Sequence, residues 1–167
     1  MVMNKTLKFF AGLLFISALA GCIGEDYDVG VPTAHLNIDA HVLSQSVQLS
    51  EANISWYSSS GEVEEKIDDI EEYGQSQGEI KVFPGQDASL DFKENKENGG
   101  DIWTDPTITA VLWSNGEKIK LDLNQYKEFR FPTEEGNYIL EATFEDESNT
   151  AQYVGNIIII DDTQSSR

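Results

Sequence analysis

The sequence has one cysteine, two histidines and eleven basic residues against thirty acids. Each shortage excludes something. A single thiol, Cys22, cannot close an intrachain disulfide, so the fold must rest on its apolar core. Two histidines, His35 and His41, leave little for histidine-based acid–base catalysis or a multi-histidine metal centre. A formal charge of −19 removes the basic surface that phosphate binding requires, so nucleic acid is excluded as a partner. The chain also lacks a Gly-x-Ser-x-Gly elbow, a phosphate-cradling glycine loop and an EF-hand spacing. Its longest apolar run, Phe9 to Ala20, is about a dozen residues, short of the roughly 20 that span a bilayer.

That run sits in a telling context. Lys5 and Lys8 precede it, and Leu19-Ala20-Gly21-Cys22 follows it. A charged start, a short apolar core and small residues at the end form a secretory signal. The last four residues resemble a bacterial lipobox. The resemblance implies cleavage between Gly21 and Cys22 and a diacylglyceryl thioether on Cys22. Two acyl chains give stable anchoring where one is marginal. Residues 1–21 hold two lysines and no acid, so their loss takes the charge from −19 to −21. Such a chain is repelled by anionic headgroups, leaving the lipid to hold it. Nine lysines against Arg130 and Arg167 suggest a low-GC, Gram-positive source, with the chain on the outer face of the cytoplasmic membrane.

Residues 22–33 follow as the lipidated cysteine and a tether of acids, glycine and proline. They reach at most roughly 40 Å. From Ala34 to Val42 polarity alternates, with Leu36, Ile38, Ala40 and Val42 on one face, which predicts a half-buried strand. Val47 with Leu49, and Ile54 to Tyr57, predict two more. Val63, Ile67 and Ile70 form a helical stripe over Ser59–Tyr73, with a Ser59–Glu62 capping box and Gly74 as terminator. Glu71 and Glu72 then lie at the C-terminal end, against the helix dipole. Residues 34–78 are expected as an extension packed on a sandwich, 79–160 as the sandwich, and 161–167 as a tail.

The second half reads as strands separated by turns, with Asn115-Gly116 the strongest hairpin signal. Three stretches carry a resemblance to bacterial immunoglobulin-like domains. Val82-Phe83-Pro84-Gly85-Gln86 with Ala88 and Leu90 is similar to the opening edge. Trp113-Ser114-Asn115-Gly116 is similar to the turn after strand C. Glu134-Glu135-Gly136-Asn137-Tyr138 is similar to the pattern before strand F, where the tyrosine makes a corner. Leu140 stands where antibody domains carry the strand F cysteine. The fold expected is mainly β: an immunoglobulin-like antiparallel β-sandwich with an N-terminal strand extension and one short acidic helix. Tyr138, Trp113 and Leu140 are its expected structural residues.

Chemistry is sparse. His35 and His41 share a strand face but lie about 20 Å apart, too far for one ion. Asp39 and His41, about 7 Å apart, remain as weak metal candidates. The runs Glu62–Glu72 and Glu145–Glu147 read as solvated surface that aids solubility. No catalytic residue and no cofactor are expected. The expected function is a non-enzymatic lipoprotein presenting a binding or scaffold domain to an envelope protein or polymer. The alternatives are a small envelope enzyme or metal-dependent module using carboxylates, and an accessory subunit of a membrane complex. One stretch breaks the alternation of a strand with one wet face: Ile157-Ile158-Ile159-Ile160. Both its faces are expected to be covered, one by the core and the other by residues 34–73.

Overall fold

The computed structural model describes residues 30–39, 44–58, 61–93 and 106–161. In chain order the elements are β1 (Thr33–Ile38), β2 (Gln45–Gln48), β3 (Ser50–Ser58), β4 (Gly61–Glu65) and α1 (Ile70–Gln75). Next come β5 (Glu79–Val82), β6 (Asp87–Lys93), β7 (Thr107–Ser114) and β8 (Glu117–Lys120). The last are β9 (Glu128–Arg130), β10 (Gly136–Glu145) and β11 (Thr150–Ile159).

The strands form two sheets. One runs β2-β1-β6-β9; the other runs β4-β3-β11-β10-β7-β8, with β5 also paired to β11. All pairings are antiparallel except β5 with β11, which is parallel. β3 and β5 share one edge of β11: β3 pairs along residues 150–154 and β5 along 156–159. The division of strands follows the immunoglobulin-like plan, with β6 and β9 as B and E, and β7, β10 and β11 as C, F and G.

Alternation explains the core. Ala34, Leu36 and Ile38 point inward from one sheet, and Tyr138, Leu140, Ala142 and Phe144 from the other. Trp56, Phe144, Phe92 and Tyr153 pack ring against ring, with centroids 5.5–5.8 Å apart. Leu140 is fully buried opposite Leu112 and Gly155, so apolar packing fills the place of a disulfide. The Tyr138 hydroxyl donates to the Glu134 carbonyl at 3.3 Å, making the expected corner.

Three expectations change. First, residues 34–65 are not packed on the sandwich from outside; β1 pairs with β6 and β3 with β11, so both belong to its sheets. Second, Ser59–Tyr73 is not one helix. Gly61–Glu65 is a strand paired with β3, placing Val63 beside Trp56, and the helix starts at Ile70. Pairing along the edge of β3 outweighs the helical spacing, because Glu62-Val63-Glu64 alternates equally well as a strand. The N-cap is Asp69, whose Oδ1 accepts the Glu72 amide at 2.9 Å. Glu71 and Glu72 therefore lie in the first turn and favour the dipole instead of opposing it. Gly74 lies within α1 because Ile139 sits against it; a Cβ there would lie 2.3 Å from Ile139 Cγ2.

Third, Leu36 and Ile38 fill the same inner core as Ile157 and Ile159, not the outer face. The outer face is covered in part. Ile67, Ile70 and Tyr73 lie over Ala52, Ile139 and Val154. Asn156 is held by its Nδ2 donating to the Gln75 and Gln77 carbonyls at 3.2 Å each. Ile158 is half-buried and Ile160 exposed, so the cover stops short of them. Trp113 packs in this outer layer, and Trp56 is fully buried in the inner core.

Candidate functional site

A groove of about 680 Å³ opens on the outer face of the larger sheet, between α1 and the β7–β8 turn. Its lining is mostly polar, including Gln75, Asn137 and Asn156, with Trp113 and Ile158 as its partly exposed apolar members. The turn that walls it is a local consequence of sequence. Asn115 (φ 53°) and Gly116 (φ 80°) both take the left-handed conformation that a two-residue hairpin needs. The Gly116 amide donates to Glu71 Oε1 at 3.2 Å, tying hairpin to helix.

Asp69, Glu71, Glu72 and Glu79 give the rim its charge. Among the described residues, no ion pair neutralises any of the four. Lys118 is engaged nearby, 4.2 Å over the Trp113 ring and 3.6 Å from the buried Glu141 carboxylate. That carboxylate also accepts the Trp113 indole N–H at 2.5 Å, which fixes the ring in the floor.

Apolar side chains continue beyond the groove. Ile158 and Ile160 are successive outward positions on one strand line. The Ile160 amide donates to the Val82 carbonyl, and Val82 pairs with Ile159, which brings Phe83 beside Ile160. Phe83 is 44% exposed and Ile160 40%. Lys81, beside Ile158, borders this ridge.

The groove lies toward one end of the sandwich and the incoming chain lies at the other. Thr33 pairs with Lys93, Phe92 packs on Phe144, and the buried Tyr153 hydroxyl donates to the Pro32 carbonyl. Phe144 is at the far end of β10 from Asn137, which lines the groove. Asn137 and Phe144 are about 23 Å apart along β10.

The other candidate residues fall as follows. Gly21, Cys22 and His41 lie outside the described residues. Asp39 is exposed past the end of β1, near Asp87, whose carboxylate is forked by Arg130 at 2.7 and 2.9 Å. The guanidinium holds the Asp87 carboxyl below its usual range. His35, partnered by Thr33 Oγ1 at 3.4 Å, is lowered by burial first and then by Lys93. Among the described residues, no three of His, Cys, Asp and Glu gather as a metal-holding group. The acidic run through Glu72 was visible in sequence, but its convergence with Glu79, Trp113 and Ile158 comes from strand pairings far apart in the chain.

No protein-family model matches the chain, and no curated protein is detectably similar to it.

Proposed function

We propose that this chain is an extracytoplasmic lipoprotein, anchored through acylated Cys22, that presents a non-enzymatic immunoglobulin-like binding domain at the cell envelope. The observation that carries the reading is Leu19-Ala20-Gly21-Cys22 behind Lys5, Lys8 and a short apolar run. A signal of that form ends in a lipid-modified cysteine, and the cysteine here has no competing disulfide partner. The fold supports the reading from the other side. The first strand begins at Thr33, after a short link that suffices to hold a sandwich near a membrane without embedding it. The sandwich is held together by apolar packing between its sheets.

The test is fractionation with acyl labelling of the native chain and Cys22→Ser. The native chain takes up labelled acyl groups and sediments with membranes, and Cys22→Ser does neither. Equal acyl labelling of both chains would overturn the anchor. A native chain found unlabelled in the cytosol would overturn the placement.

A further inference from the structure

We infer that β4 of one molecule pairs antiparallel with β8 of a second copy of this chain, extending the larger sheet from molecule to molecule. The inference goes beyond the lipoprotein reading and does not require it. β4 and β8 are the two outer edges of the larger sheet, and among the described residues no strand covers either. Every residue of both is exposed. An uncovered edge leaves a row of backbone donors and acceptors open to another strand. On β8 the Leu121 amide donates back to the Ala110 carbonyl at 3.0 Å, so alternation turns the backbone groups of Lys118 and Lys120 outward. On β3 the Tyr57 amide faces the β11 side, donating to Asn149 Oδ1 at 2.7 Å. Trp56 therefore bonds Val63, and Glu62 and Glu64 turn their backbone groups to the open edge.

The two edges match in one register. With Val63 opposite Ile119, Glu62 meets Lys120 and Glu64 meets Lys118. Both pairs use outward-turned backbone groups on each strand, so both are hydrogen-bonded pairs. The faces agree. Glu62 and Glu64 lie on the outer face with Tyr57 and Ser55, and Lys118 and Lys120 on the same face with Trp113 and Val111. Val63 and Ile119 lie on the opposite face, 43% and 42% exposed, and each covers the other. Direction agrees too. Antiparallel pairing across the sheet runs β4 and β8 oppositely, so a neighbour in the same orientation offers the antiparallel match. At one end Glu65 faces Glu117, the one like-charged pair. A shift by two residues loses an ion pair and sets Val63 against Glu117 or Glu62 against Asp122. Charge also excludes the like pairings, since β4 on β4 opposes glutamates and β8 on β8 opposes lysines. The chain is strongly acidic as a whole, but acids beyond a Debye length of about 8 Å are screened while pairs in contact act. Lys120 has no ion pair among the described residues, and Lys118 reaches Glu141 alone. The contact is head-to-tail, so each copy offers one edge of each kind.

A contact of this size is small beside a standard interface, so it is read by trapping it in place. Cells produce the full chain as Val63→Cys and as Ile119→Cys together, one of them carrying a size tag, and are treated with a mild oxidant. The mixed disulfide dimer is expected at about tenfold the yield of either homotypic dimer, because only unlike edges align. Glu62→Lys in the Val63→Cys chain is expected to cut the mixed dimer about fivefold, and Lys120→Glu in the Ile119→Cys chain to restore it. Restoration by a change in the other molecule separates a lost contact from a lost fold. Mixed and homotypic dimers in equal yield would show random collision and overturn the contact. So would a mixed dimer indifferent to Glu62→Lys, a loss that Lys120→Glu does not restore, or no dimer. The native chain, whose only thiol is Cys22, is treated alike. A dimer of the native chain would show a free thiol at Cys22 and count against the lipid anchor, not against the edge contact.

Discussion

The Tyr138 hydroxyl and the Leu140 side chain perform different tasks on one strand, and each predicts its own loss. Tyr138→Phe removes the bond to the Glu134 carbonyl and should cost about 0.5–1.5 kcal/mol in a denaturant melt. Leu140→Ala empties a fully buried position between Leu112 and Gly155 and should cost about 2–5 kcal/mol. Titration adds a third test. Burial pushes the Glu51 carboxyl up, and the Glu65 charge adds to it. The folded chain therefore binds this proton more tightly than the unfolded chain does. The stability that follows is full below the ordinary glutamate range and is lost as pH rises through the raised value. Asp87 runs oppositely: its pairing with Arg130 contributes above the ordinary aspartate range and is lost as pH falls through the lowered value. Glu51→Gln should thus raise the melting temperature at neutral pH, and raise it less in mild acid. A gain that is larger in acid would contradict the assignment. At this scale the sequence was informative: the Gly136-Asn137-Tyr138 pattern placed the corner, and Leu140 followed from its register. The tryptophans were less legible, because an aromatic beside a turn fits either face of a sheet, and only the Glu141 bond and the cover of Ile67 and Ile70 turn Trp113 outward.

Strand elements that alternate cleanly were legible, and the element that can alternate in two ways was not. Ala34–Ile38 and Asn115-Gly116 specify their structures locally. Glu62–Glu65 fits both a helical stripe and a strand alternation, and hairpin pairing with the preceding β3 decides between them. The same limit hid the groove, since its walls come from α1, a hairpin and β11. The close approach of α1 to the sheet gives an element-scale prediction. Gly74→Ala drives a methyl into Ile139, and overpacking of this kind costs typically 1–3 kcal/mol. Ile139→Ala removes the clashing Cγ2, so the double variant should cost less than the sum of the two single variants, read by thermal melts. Deleting β1 to β4 should unfold the rest, because it strips pairing partners from both β6 and β11. A soluble 79–167 fragment with a cooperative melt would contradict that integration.

At the scale of the whole molecule, charge, anchor and groove make one argument. Under the proposed signal removal the chain carries −21, a charge that repels anionic lipid and leaves attachment to the proposed acyl chains. The incoming chain lies toward one end of the sandwich and the groove toward the other. The four-isoleucine run takes its meaning from this arrangement. Ile157 and Ile159 build the core, while Ile158 lines the groove and Ile160 is exposed on the outer face. The most direct measurement of the central claim is the intact mass of the chain purified from its own membrane, with sequencing of its N-terminal peptide. The account predicts a chain that begins at Cys22 and carries a diacylglyceryl thioether on that residue. A chain that retains residues 1–21, or begins elsewhere with Cys22 unmodified, would contradict it.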